Sequence, residues 1–156
     1  IESNMKWGFS SNSLYDLASK ICNNGDLVQL RDHHRSHAHI IGFSNSEFYD
    51  SRLRVATKYK NLKIPNREKP AVRWINVQGE CIRPASGGAI NKREAVAVIS
   101  EIRRLVIEQG YSGTIGVVSP FRAQANQITQ LFSADPQLNN KPEIEFISDT
   151  VDKFQG

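Results

Sequence analysis

A chain of 156 residues with 39% hydrophobic and 23% charged residues has the size and composition of one soluble globular domain with its own core. No apolar run approaches the roughly eighteen residues of a membrane helix, no signal-peptide pattern opens the chain, and Cys22 and Cys81 stand without CxxC partners, so we expect a reducing, cytoplasmic setting. The formal net charge is +4, and it is unevenly spread. Residues 51–70, "SRLRVATKYKNLKIPNREKP", hold seven Lys/Arg against one acid, while the rest of the chain holds thirteen basic and fifteen acidic residues. Such a segment, with Tyr59 inside it, suits either a polyanion or a solvated surface loop. The first residue is Ile1 and the last segment is "DTVDKFQG". We therefore expect residues 1–156 to be a single domain of a longer protein.

In chain order, residues 13–22 have helical character, and Leu27–Leu30 forms a short strand candidate. The segment "RDHHRSHAH" follows, with all four histidines (His33, His34, His37 and His39) inside seven positions. Residues 36–46 again look helical, and Val72–Val77, "VRWINV", is a strand candidate. The clearest pattern is residues 91–109, where Ala95, Val98, Ile99, Ile102, Leu105 and Val106 recur at helical spacing. Asn91 with Glu94 reads as a capping box and Gly110 as the stop. Thr114–Val118 is a β-branched strand candidate. Ser119 is then placed to cap a helix starting at Pro120, with Ile128, Leu131 and Phe132 as its apolar stripe. Ile144–Ile147 is a last strand.

Strands alternating with helices predict an α/β fold with a mainly parallel sheet and helices on both faces. In such folds ligands gather at the carboxyl ends of strands. Three segments occupy those ends: "HHRS", "SPFRAQ" and "TVDKFQG". A helix N-terminus after Pro120 would attract anions, with the Ser119 hydroxyl and the Arg122 charge beside it; Ser119 could equally be a plain cap.

The histidine cluster admits three readings. His33 and His37, four apart, would share a helical face as a metal pair, but zinc sites need three or four protein ligands and no HExxH-type glutamate stands near. Alternatively, His34 stacks on a base and Arg35 grips a phosphate bidentately. In the third reading the histidines are polar caps at a helix start.

Three segments resemble superfamily 1 helicases. "LRDHHRSHAHIIGFSNSEFYDSRL" is similar to the segment that opens their second RecA-like domain, "GVVSPFRAQANQI" to the motif that follows, and "TVDKFQG" to motif V. Their order and spacing fit from about Leu14 to Gly156, and the subtype resembles the nonsense-mediated-decay-helicase branch. The resemblance implies a three-layer RecA-like fold of the P-loop NTPase type. It implies that Arg35 reaches the ATP γ-phosphate as a catalytic group, and that His34 stands where the family usually has an adenine-stacking tyrosine. Gln155 and Gly156 lead toward the nucleotide. Ser119, Pro120, Thr150 and Asp152 match positions along a single-stranded nucleic acid, DNA or RNA.

No GxxxxGK[ST] loop occurs in the chain. The resemblance therefore implies that ATP and Mg2+ are held mainly by a first RecA-like domain, the expected partner, and that this domain alone is inactive. No metal site of its own and no membrane partner are expected. The competing readings are a non-catalytic α/β module that binds nucleic acid or protein, and a histidine metallohydrolase.

Overall fold

The computed structural model describes residues 11–62, 71–85 and 87–154. They belong to two compact units, Ile1–Tyr59 and Lys60–Gly156. None of the described helices is long and apolar enough to cross a membrane.

In the first unit, helix α1 (Leu14–Ile21) starts with a capping box. The Asp16 N–H donates to Ser13 Oγ and the Ser13 N–H to the Asp16 carboxylate, so two otherwise orphaned donors are satisfied at once. A 3-10 turn, Asn24–Asp26, follows. The expected strand Leu27–Leu30 does not form: its residues join no ladder, and Val28 and Leu30 are exposed. The pairing comes later in the chain, as β1 (Asp32–His33) parallel to β2 (Arg54–Val55), with Asp32 opposite Arg54 and His33 opposite Val55. Register is set by the returning chain. The Arg54 N–H donates to Arg31 O at 2.7 Å and the Ala56 N–H to His33 O at 2.9 Å, which leaves residues 27–30 ahead of the ladder.

Helix α2 (Ala38–Tyr49) lies between those strands, two residues later in starting than the expected 36–46. It ends in two consecutive left-handed residues, Asp50 (φ 49°) and Ser51 (φ 58°), which reverse the chain sharply. Asn45 then fixes the return: its Nδ2 donates to Leu53 O at 3.2 Å and its Oδ1 accepts the Leu53 N–H at 2.9 Å. That places Leu53 directly before β2.

The second unit contains all the buried apolar side chains found among the described residues. Val72–Val77, expected as a strand, joins no ladder, and Trp74 is exposed. A β-branched run is a strand only where another strand offers its backbone, and the described residues offer it none. Helix α3 (Lys92–Arg103) continues as a π-helical turn, Arg104–Glu108, and stops at Gly110 with φ 65°. Strand β3 (Gly113–Val118) pairs in parallel with β4 (Ile144–Asp149), Ile115 opposite Phe146. Between them run helix α4 (Arg122–Ser133) and the short α5 (Pro136–Asn139); α6 (Val151–Phe154) follows β4.

Alternation along β3 and β4 decides which residues meet the helices. Ile115, Val117, Ile144 and Phe146 pack against a core of Ala95, Ile99, Ile102, Val106, Ile128, Phe132 and Leu138. Phe132 stacks face to face on Phe146, with ring centroids 3.9 Å apart. The parallel pairing and helical cover of an α/β fold are thus present. On the other face of the pair, Phe154 lies against Gly116, where an added Cβ would come within 2.9 Å of its ring.

Asn91 caps α3 as expected, accepting the N–H groups of Arg93 and Glu94. The second half of the expected capping box is taken by another residue. Gln124 Oε1, from α4, accepts the Asn91 N–H at 2.9 Å, and Gln124 Nε2 donates to Asn91 O at 3.1 Å. Gln124 is buried, and both its amide atoms are used on one residue, the N-cap of the neighbouring helix. Replacing Gln124 with Ala leaves the half-buried Asn91 N–H without its partner, while Asn91 O keeps the Ala95 N–H. We expect a loss of about 1–3 kcal/mol by chemical denaturation, with Gln124→Glu, which lacks the donor, also destabilised.

The Asp135 side chain joins two helices. Its carboxylate accepts the Gln137 N–H to cap α5 and pairs with Arg103 of α3. The Arg103 hydrogen bond holds this buried carboxyl below its ordinary value, against the opposing effect of burial. A depressed folded-state value means that the stabilisation is complete above the unfolded carboxyl's value of about 4 and is lost as pH falls through the folded value. Asp135→Asn keeps a capping oxygen and removes the charge. Its denaturation free energy, followed from neutral pH to about pH 2, should fall less steeply with acid than that of the wild type; equal slopes would exclude Asp135 as the titrating group.

Candidate nucleotide and nucleic-acid interfaces

The chemistry-bearing residues form two clusters, each within one unit. In the first, β1 delivers the chain into the turn His33–His34–Arg35–Ser36. His33 closes this turn: its Nε2 accepts the Ser36 N–H at 3.0 Å and lies 2.8 Å from Ser36 Oγ. Thr57, just past β2, approaches from behind, its Oγ1 lying 2.8 Å from Ser36 O and 3.2 Å from His33 O. His34 and Arg35 stand exposed at the tip.

Beyond the tip, His37 is the N-cap of α2. Its Nδ1 accepts the His39 N–H at 3.2 Å, and its ring stacks on Tyr59 with centroids 4.6 Å apart. The Ala38 N–H donates to the Tyr59 hydroxyl at 3.3 Å. Two of the first N–H groups of α2 are therefore satisfied by one stacked pair of rings. Tyr59 of the basic segment serves here as part of a helix cap. The histidine cluster thus contains a turn lock and a cap, and no group of three or more His, Cys, Asp or Glu able to hold a metal occurs among the described residues.

Beside the tip is a cavity of about 390 Å³ lined by Gln29, Leu30, Arg31, Asp32, His34 and Arg54. Its size falls within the range of small-molecule sites. Arg54 is held by Asp32, Nε to Oδ1 at 2.8 Å, so one guanidinium of the wall is already paired. Neither Arg31 nor the Asp32–Arg54 pair carries a motif; only their place beside the strand pair reveals them.

The second cluster lies at the carboxyl ends of β3 and β4. Ser119 was expected to cap a helix starting at Pro120, yet α4 begins at Arg122 with Phe121 as its N-cap. The reason is local. The Ser119 N–H donates to Asp149 O at 3.1 Å, extending the parallel ladder by one residue, and Ser119 Oγ accepts the Phe121 N–H at 3.2 Å. Ser119 is buried and Pro120 is exposed. Phe121 contributes no capping side chain, so the first turn of α4 presents its positive end at this junction.

Arg122 projects from that first turn. Its Nη1 is 3.2 Å from Asp149 Oδ1 and its Nη2 3.4 Å from Thr150 Oγ1. The same Asp149 oxygen accepts the Thr150 N–H at 2.7 Å. The structure thus brings together Ser119, Arg122 and Thr150, with Asp149 as the residue that connects them. Asp149 carries no signal in sequence beyond ending an apolar strand. Asp152 is exposed on α6. Gln155 and Gly156 lie outside the described residues.

A chain with parallel strand pairs, helical cover and polar residues clustered at strand ends is an α/β protein by architecture. The AAA domain family matches residues 11–156, and the chain belongs to that family. It is 30% identical to "Putative helicase MOV-10" of Gallus gallus, over 93% of this chain and 17% of that protein. "Helicase sen1" of Schizosaccharomyces pombe is 27% identical over 94% of this chain and 9% of that protein. "ATP-dependent helicase NAM7" of Saccharomyces cerevisiae is 24% identical over 83% of this chain and 14% of that protein. The chain thus spans less than a fifth of the length of these relatives. Their names agree with the superfamily 1 resemblance carried by the three motifs.

The atoms of His33 and His37 that face their own backbone are already occupied, which disfavours zinc. We expect equimolar Zn2+ to leave the thermal midpoint unchanged and to remain dialysable. Stoichiometric retention measured by elemental analysis would restore the metallohydrolase reading.

Proposed function

We propose that residues 1–156 form the second RecA-like domain of an ATP-dependent superfamily 1 helicase that moves along single-stranded DNA or RNA. The observation that carries this reading is the exposed His34–Arg35 tip at the end of a parallel strand, in a chain of the AAA domain family. The names of the relatives support the helicase class, and one of them supports ATP dependence.

In this reading Arg35 supplies a fixed positive charge to the γ-phosphate of ATP held by the first RecA-like domain. His34 offers an imidazole face to the adenine from the wall of the adjoining cavity, in the role usually given to tyrosine. A guanidinium that meets the phosphoryl group as charge develops stabilises the transition state without itself transferring a proton. The motif resemblance assigns Gln155 and Gly156 to the nucleotide as well. The described residues contain no cluster of three or more acidic or other metal-ligating side chains. ATP and Mg2+ are held mainly by the first domain. The isolated domain is inactive because it lacks a phosphate loop, and its setting is cytoplasmic.

Nucleic acid is contacted at the second cluster. The first turn of α4, with Pro120, Arg122 and the buried Ser119 behind them, faces one stretch of backbone, and Thr150 and Asp152 face the next. Contacts of this kind are made to phosphate and sugar, so they weaken with salt and carry little sequence preference. Asp149 neutralises Arg122 at rest, and a phosphate that engages Arg122 must compete with that carboxylate.

The test is the ATPase activity of the full-length protein with and without single-stranded nucleic acid, comparing wild type with Arg35→Ala. We expect stimulated turnover that falls about a hundredfold or more in the variant. Turnover absent from both proteins, or indifferent to Arg35, would overturn the motor reading in favour of a binding module.

A further inference from the structure

The tip that bears Arg35 is itself an exposed turn, and what fixes it lies across the strand pair. His33 Nε2 locks the turn from within by accepting the Ser36 N–H. Thr57 holds it from outside. One hydroxyl proton faces two carbonyl oxygens, Ser36 O at 2.8 Å and His33 O at 3.2 Å; a threonine hydroxyl has a single donor, so the bond is shared, with Ser36 as the stronger acceptor. The two acceptors are the residues on either side of His34 and Arg35. The Ala56 N–H adds a third tie, to the same His33 oxygen, at 2.9 Å. The Thr57 hydroxyl and the His33 ring therefore both tie the two ends of the turn together.

We propose that Thr57 is a positioning residue for Arg35: its hydroxyl, bridging the carbonyls of His33 and Ser36, fixes the direction in which the Arg35 side chain leaves the backbone. This rests on the reading of Arg35 as the γ-phosphate contact. Thr57 touches neither nucleotide nor phosphate. It acts by keeping a flexible arginine on a rigid base, so that little backbone freedom is lost when the guanidinium meets its anion. His37 and Tyr59, which cap α2 immediately after the turn, continue the same support on its far side.

The experiment uses the full-length protein and four variants. Thr57→Val is nearly isosteric but has no hydroxyl; Thr57→Ser keeps the hydroxyl; Arg35→Ala and the double variant Arg35→Ala with Thr57→Val complete a cycle. The expected result is that Thr57→Val lowers nucleic-acid-stimulated kcat about tenfold, with the KM for ATP changed less than about twofold. Thr57→Ser should restore most of the turnover. In the Arg35→Ala background, Thr57→Val should cause no further loss, because a residue that acts through Arg35 has nothing left to position. Wild-type kcat in Thr57→Val, or losses that multiply in the double variant, would overturn the positioning role while leaving Arg35 as the phosphate contact. Wild-type turnover in Arg35→Ala would instead overturn the underlying reading and this inference with it.

Discussion

Backbone N–H and C=O groups withdrawn from water must find partners, and among the described residues a side-chain amide twice binds both groups of one half-buried residue. Asn45 closes both bonds on Leu53 in the first unit. Gln124 closes both on Asn91 in the second. A carboxamide suits this task because it offers one donor and one acceptor in the same planar arrangement as a peptide. Each pair joins segments that no strand ladder connects. Asn45 fixes where the chain re-enters beside β1, and Gln124 fixes the first turn of α4 against the first turn of α3.

The candidate chemistry follows from those two ties. In the first unit, the return fixed by Asn45 brings β2 alongside β1, and only then do Ala56 and Thr57 reach the turn that carries His34 and Arg35. In the second, the tie made by Gln124 holds the start of α4. Arg122, two residues earlier, is thereby kept within reach of Asp149 and Thr150. Neither amide belongs to a proposed contact with a ligand. Each is placed close in sequence to groups that do, which explains how exposed side chains can be presented from a fixed backbone.

Much of the second unit was legible in sequence because its periodicity is satisfied by its own packing. The apolar face of residues 91–109 and the stripe Ile128–Leu131–Phe132 meet each other and the inward side of β3 and β4. What could not be read depends on partners. Leu27–Leu30 and Val72–Val77 have the composition of strands, but a strand exists only by pairing. The helix after Ser119 begins late because the Ser119 N–H extends the ladder to Asp149, a contact thirty residues away in sequence. The capping box at Asn91 was half right for a similar reason. A local partner, Glu94, is the only one a sequence pattern can suggest, and Gln124 satisfies the same N–H from another helix. The π-helical turn Arg104–Glu108 leaves Val106 buried, so the apolar pattern is the same with or without it.

The histidines show how local chemistry separates residues that look equivalent in sequence. His33 uses Nε2 on Ser36, and His37 uses Nδ1 on His39 and its ring on Tyr59. Each gives one ring nitrogen to the backbone, one inside the turn and one at the helix start. His34 and Arg35 lie between these two fixed points, and their side chains are turned outward. A long arginine side chain loses up to about 2 kcal/mol of rotamer freedom when it binds. Immobilising the backbone on both sides keeps that cost from being compounded by ordering the loop. The polar caps at a helix start and the exposed tip are therefore parts of one arrangement, in which His33 and His37 each spend a ring nitrogen on the backbone that flanks Arg35.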